Sequence, residues 1–275
     1  MGDQDDRTGN PQPCWRVHRC AATSRPTRML GQFHPPAMNL KGIKLTWLGH
    51  ATFRIETPGG KTIIIDPWIM GNPTCPEKEK SMSRVDVMLC THAHGDHIGD
   101  AVEIGKKHQP QVVAIPELAG WLEKKGLKNV IGMNKGGTVK VADIRVTMVH
   151  ADHSCGIEDG EQLLYGGEAV GFVIEFENAV KIYHAGDTNV FGDMKIIHDL
   201  YAPEIALLPI GDHYTMSPRE AAYACNLLQA KTVIPMHFGT FPILTGTPGQ
   251  LQKLVPGVEV VEMKPGVTLS QQVAA

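Results

Sequence analysis

Apolar and polar positions first fall into a regular pattern near residue 43. IKLTWLG (43–49) and ATFRIET (51–57), followed by the turn PGGK and then TIIID (62–66), read as a meander of short strands. VDVMLC (85–90) is a short apolar run, as expected of a buried strand. The period then changes. GDAVEIGKKH (99–108) and PELAGWLEKKG (116–126) space their apolar residues as helices do, on either side of a strand QVVAI (111–115). Strands GGTVKV (136–141), IRVTMVHA (144–151), EAVGFVIEF (168–176) and AVKIYHAGD (179–187) follow, then a helix DMKIIHDLY (193–201) and a strand EIALLPIGD (204–212). In SPREAAYACNLLQA (217–230), Ser217 and Pro218 are good N-cap and first-turn residues for a helix. TVIPMHFG (232–239) and VEVVEMKPGVTL (258–269) supply the last strands.

Strands and helices follow a similar order in the two halves, which predicts an α/β protein with two sheets packed together and helices outside. Residues 1–38 stand apart. They carry five prolines, five arginines and no lysine, with neither period, and read as a disordered extension before a domain spanning 39–275. MNLKGIKL, from Met38, has the look of a natural start.

Composition narrows the classes. A chain of 275 residues, 42% hydrophobic, can bury a full core, and a net charge of −3 gives no footprint for nucleic acid or an anionic membrane. No run approaches the ~18 apolar residues of a membrane span. The six cysteines are scattered without a CxxC pair and read as reduced thiols. With an acidic start, MGDQDD, that lacks a signal layout, they place the protein in the cytoplasm. A small-molecule substrate is the expected partner, with a homo-oligomer open.

The chemistry concentrates in CTHAHGDHIGD (90–100), at the end of a strand that should be buried. Alternate side chains of an extended segment point the same way, so His92 and His94 can address one point. Gly95 permits a turn, after which Asp96 and His97 face a second point nearby. Four such ligands suit two metal ions in one pocket, with zinc first and iron, manganese or nickel as alternatives. Three more strand ends carry ligand types: His150, Asp152 and His153 in HADHSCG, His184 and Asp187 in YHAGDTNVF, and His237 in PMHFGT. A lone histidine after a strand is ordinarily a surface or hydrogen-bonded residue. Their recurrence beside HxHxDH is what changes the reading.

THAHGDH, with Asp66 in IIIDP before it and HS, HAGDT and MHF after it, resembles the metallo-β-lactamase superfamily over about residues 40–270. GHATF and PIGDHYTM are shared most closely with its small metal-dependent hydrolases. The resemblance implies a four-layer αββα sandwich with metals at one edge between the sheets. It implies that His92, His94 and His153 hold one ion, that Asp96, His97 and His237 hold the other, and that Asp187 bridges them. His150 is the rival to His153. Asp66 falls where the family keeps a carboxylate beneath the first loop, suited to orient an imidazole through its other ring nitrogen. His50, His184 and His213 are pocket candidates, and Asp96 or His213 could protonate a leaving group.

Two ions sharing a water would lower its pKa from 15.7 toward ~7, giving a hydroxide able to attack an ester, a lactone or a related acyl group. Redox di-iron relatives carry Glu where His94 stands, and exported di-zinc β-lactamases carry Cys where Asp187 stands. The 49 residues between Asp187 and His237 leave no room for the inserted domain of the nucleic-acid-processing branch. A minimal hydrolase of a small molecule is the expectation. A phosphodiesterase and a non-catalytic metal-dependent binding or sensor protein are the alternatives.

Overall fold

The computed structural model of the chain describes residues 40–270, so the extension expected over 1–38 lies outside the described residues. The first half contributes β1 (Lys44–Gly49), β2 (Thr52–Glu56), β3 (Thr62–Ile65), β4 (Val87–Leu89), β5 (Gln111–Ala114) and β6 (Val130–Gly132). The second half contributes β7 (Thr138–Val141), β8 (Ile144–His150), β9 (Gly156–Asp159), β10 (Gln162–Tyr165), β11 (Val170–Glu175) and β12 (Lys181–His184). It continues with β13 (Ile205–Pro209), β14 (Thr232–Met236), β15 (Glu259–Val260) and β16 (Thr268–Ser270). The helices are α1 (Gly95–Ile98), α2 (Ala101–His108), α3 (Pro116–Lys124), α4 (Met194–Tyr201), α5 (Pro218–Leu228) and α6 (Pro248–Leu254).

These strands form two seven-stranded sheets, in the orders β16-β1-β2-β3-β4-β5-β6 and β15-β14-β13-β12-β11-β8-β7, with β9 and β10 as a separate ribbon. Each sheet is antiparallel at one end and parallel at the other. In the first, β1, β2 and β3 alternate in direction and β3 to β6 run together. In the second, β7, β8, β11 and β12 alternate and β12 to β15 run together. The expected αββα sandwich is the architecture found. All five residues of β13 and all five of β14 are buried, as strands covered on both faces must be. Phe53, Ile64 and Leu89 of the first sheet and Phe172, Ile182 and Leu207 of the second belong to one hydrophobic core.

Direction decides where the chemistry lands. Two reversals return β1 to the direction of β3, and two more return β8 to the direction of β12. The carboxyl ends of β1, β3 and β4 therefore share one edge of the first sheet, and those of β8, β12, β13 and β14 share one edge of the second. Ligand sites of α/β sheets form at such ends. One strand departs from the division into halves. β16, nearly the last segment described, crosses to the first sheet and pairs antiparallel with β1, Lys44 opposite Ser270.

The core can be tested at Phe53, which is fully buried and meets the His184 ring edge-on at 5.7 Å. Phe53→Ala is expected to cost about 3–5 kcal/mol in urea unfolding. A cost below about 1 kcal/mol would contradict the continuous core.

Candidate metal centre

The carboxyl edge of the first sheet is organised by one buried carboxylate. Asp66 follows β3, is fully buried, and accepts the Thr91 backbone N–H on Oδ1 (2.8 Å). Its Oδ2 accepts the Thr91 hydroxyl (2.7 Å) and the Nδ1–H of His97 (2.8 Å). The Thr91 oxygen lies 3.0 Å from His92 Nδ1 and can accept its proton. Asp66 thus fixes His97 directly and His92 through Thr91. Both rings then carry a proton on Nδ1 and turn Nε2 into the site, where that of His92 also lies 3.1 Å from His94 Nδ1.

Those two Nε2 atoms converge on Asp187, which follows β12. Asp187 Oδ2 is 2.9 Å from His237 Nε2, 3.2 Å from His97 Nε2, 3.7 Å from His153 Nε2 and 3.9 Å from His92 Nε2. Gly186 makes room for it. With φ of +65°, that glycine packs where a Cβ would lie 2.7 Å from the Val170 carbonyl oxygen. Besides the hydrogen-bonded set of Asp66, His92 and His97, the donor atoms form two neighbouring groups around Asp187, each compact enough for one ion. His92, His94 and His153 make the first, and His50, Asp96, His97 and His237 the second. Imidazole and carboxylate donors of this kind suit a borderline divalent cation.

A metal also fits what the protein atoms leave unpaired. His97 Nε2, Asp187 Oδ1 and His237 Nδ1 are buried without a hydrogen-bond partner, half of the six such side-chain atoms among the described residues. Buried polar groups are rarely left so unless an ion or water completes them. Charge tells the same story. Burial, then repulsion from His97, holds His92 and His94 below the usual imidazole range, and burial does the same to His153. His97 goes the other way. Burial alone would lower it, but the Asp187 and Asp66 carboxylates outweigh burial and raise it. Burial would likewise raise Asp187, but His237 and His97 hold it well below the carboxylate range. His92, His94 and His153 are thus held neutral, while positive charge is favoured at His97 between the Asp187 and Asp66 carboxylates.

His50 follows β1 and comes closer to this centre than a pocket-wall residue would. It donates from Nε2 to Asp96 Oδ2 (3.0 Å), and its Nδ1 lies 3.0 Å from the Thr240 hydroxyl. Burial, then the His237 charge, pushes its pKa down to about 4. The contact with Asp96 is therefore a neutral N–H donating to a carboxylate. Burial works to raise Asp96, and the His50 hydrogen bond overrides it and keeps that carboxyl ionised. His50, Asp66 and His237 all have left-handed backbones, with φ of 55°, 48° and 52°. Each such non-glycine residue costs about 1–2 kcal/mol, the kind of strain that collects at functional sites.

The remaining expected residues divide. His153 lies with His92 and His94, whereas its rival His150 is exposed and meets Phe191 edge-on at 4.8 Å. His184 is a strut. It donates from Nε2 to the Ala51 carbonyl (3.0 Å) and accepts the Gly186 N–H on Nδ1 (3.1 Å), tying the two sheet edges together. His213 is exposed and does not line the cavity beside the centre, but its neighbour Tyr214 does. Two consecutive left-handed residues, Asp212 (67°) and His213 (59°), turn the chain just before Tyr214. Gly95 opens the single helical turn α1.

That cavity measures about 610 Å³, and Glu158, Ser154, Tyr214, Phe241 and Ile243 complete its wall. Of these, Ser154 follows His153 in HS and Tyr214 falls in PIGDHYTM, whereas Glu158, Phe241 and Ile243 lie outside the motifs read in the sequence. Thr91 opens THAHGDH and Thr240 closes PMHFGT, neither with a role the sequence assigns. The thiols take no part. Cys75, Cys90, Cys155 and Cys225 are buried and unpaired, and burial pushes Cys155 up to about 11.

A family model described as a beta-lactamase superfamily domain matches residues 61–238. A UPF0173 metal-dependent hydrolase of Koribacter versatilis is 67% identical over 233 residues, covering 85% of this chain and 100% of that one. A solved structure of a metallo hydrolase from the hyperthermophilic archaeon Ignicoccus hospitalis is 38% identical, with a TM-score of 0.73 over 84% of this chain and 99% of the other. A diiron beta-hydroxylase from Streptomyces venezuelae is 16% identical, with a TM-score of 0.66 over 83% of this chain and 54% of that one, a likeness of fold alone.

His50 makes the pH dependence of the metal-stripped protein predictable. It titrates near 6.5 in the unfolded chain and at about 4 when folded, so unfolding takes up a proton between those values. Its contribution to stability is present above about 6.5 and is lost as pH falls through about 4, on the order of 3 kcal/mol in all. Urea unfolding of chelator-treated protein at pH 7, 5.5 and 4.5 should show that loss. His50→Gln should show a shallower slope, and an unchanged slope would remove the argument.

Proposed function

The chain belongs to the metallo-β-lactamase superfamily, among its metal-dependent hydrolases, and on that premise we propose that it hydrolyses a small acyl compound, an ester or lactone, at a dinuclear centre. The observation that carries this reading is the pair of donor groups on either side of Asp187. In it His92, His94 and His153 hold one divalent ion, Asp96, His97 and His237 hold the other, and Asp187 lies between them. Zinc is the ion the donor set favours, with iron, manganese or nickel as substitutes. Such ions supply an acidified water and polarise the acyl oxygen.

The chain's own groups would do the rest. Asp66 keeps His92 and His97 in the tautomer that offers Nε2. Asp96 is kept ionised by His50 at Oδ2, which leaves its Oδ1 to hold the ion. Aromatic and aliphatic side chains of Tyr214, Phe241 and Ile243 exclude water from one wall. The cavity wall includes no lysine or arginine, which counts against a phosphodiester substrate. A purely binding or sensing role has less support, because every residue of both donor groups is in place. No helix among the described residues is long and apolar enough to cross a membrane. We assign the protein to the cytoplasm, which the four unpaired buried cysteines support.

Elemental analysis of protein purified without chelators or added metal should find about two equivalents of divalent metal per chain. Replacing His94 with alanine should lower bound metal and reduce hydrolysis of an ester and lactone panel on the order of 100-fold or more, with the circular dichroism spectrum retained. A variant that keeps both metal and activity would overturn the assignment.

A further inference from the structure

We propose that Glu158 selects the substrate by charge, so that the cavity admits acyl compounds whose remainder is apolar and neutral or cationic and turns away those with a second negative charge. This rests on the hydrolase reading above and goes on to name the substrate class of that site.

Glu158 lies on β9, in the ribbon that belongs to neither sheet, opposite Leu163 of β10. Successive side chains of a strand face opposite ways, and here the two faces differ in charge balance. Asp159 turns to α3, where its carboxylate accepts the Trp121 indole N–H (2.9 Å) and a proton of the Lys125 ammonium (2.6 Å). That face is neutralised, and it pins the ribbon. Glu158 turns to the cavity of the metal centre, and no hydrogen bond or ion pair among the described residues holds its carboxylate.

No lysine or arginine in that wall pairs with it. The other carboxylates lining the cavity, Asp96 and Asp187, lie among histidines and belong to the donor groups. Glu158 is thus an exposed carboxylate without an ion-pair partner, near enough to the donor groups for its charge to be felt at His94. Apart from Ser154, the rest of the outer wall is aromatic or aliphatic. Tyr214 is 56% exposed and Ile243 44% exposed, and they come from two different segments, after β13 and β14. A ligand anchored at the centre thus meets apolar surface and one free carboxylate. That combination favours an apolar chain ending in an ammonium over the same chain ending in a carboxylate.

The test uses three hydroxamates of one chain length as probes, with ammonium, methyl or carboxylate ends, titrated calorimetrically into the full-length zinc-loaded protein at low ionic strength. The ammonium probe should bind about tenfold or more tightly than the carboxylate probe. E158Q should bring that ratio close to one and E158K should invert it. D159N, on the opposite face, should leave the ratio in place. Because the ratio is internal to each variant, partial loss of metal or of folded protein does not imitate the effect. A wild-type ratio near one overturns the proposal while leaving the metal centre intact, as does an unchanged ratio in E158Q or an equal change in D159N. Failure of all three hydroxamates to bind would overturn it together with the hydrolase reading beneath it. Binding with the expected ratio but no turnover of any ester would count against hydrolysis alone.

Discussion

The site depends first on a carboxylate that touches no substrate. Asp66 is fully buried, and an ion so placed is tolerable only when hydrogen bonds surround it. Three donors do so: the Thr91 amide, the Thr91 hydroxyl and His97 Nδ1. Each of those bonds also fixes something else. The amide bond ties the end of β4 to the end of β3, and the two side-chain bonds set the proton positions of His92 and His97. Solvation of one charge and orientation of two imidazoles are here the same set of contacts. Removing the carboxylate would free both rings to turn.

Asp187 plays the complementary part on the other sheet. Its Oδ2 lies within 4 Å of four imidazole nitrogens that come from β4, β8, β14 and the α1 turn. No single loop could supply that arrangement. It exists because both sheets reverse direction an even number of times before the strands that carry ligands. Between the two edges His184 acts as a tie, donating to the Ala51 carbonyl across the seam. The polar centre and the apolar core are therefore parts of one construction, with Phe53 packed against the ring that joins them.

Much of this could be read in the chain. VDVMLC ending in THAHGDH identified both the buried strand and its charged tip, and the apolar period located α2, α3, α4 and α5 within two residues at each end. The misses have physical reasons. β9 and β10, GIED and QLLY, form a ribbon outside the sheets with little buried surface, so they show no alternation. β6 is only three residues long. α6 was missed although its Thr247 and Gln250 form a capping box with Pro248 in the first turn, a signal that was present. Glu158, Phe241 and Ile243 could not be found at all, because their role comes from tertiary placement and their local context is that of ordinary loop or edge residues, while Tyr214 and Thr240 sit in quoted motifs that give them no role. The place of His50 beside Asp96 and the left-handed turns at three site residues are likewise products of the fold.

The return of β16 to the first sheet bears on the order in which the protein is made. A chain emerging from the ribosome presents His92 and His94 early and His153 soon after, but neither Asp187 nor His237. β1 keeps an open edge until residues 268–270 have left the exit tunnel. At that stage three of the imidazoles gathered around Asp187 are present without Asp187 itself. The strand that pairs with the free edge of β1 thus follows in the chain every side chain that faces Asp187, so the edge of the first sheet is covered only after all of them have been made.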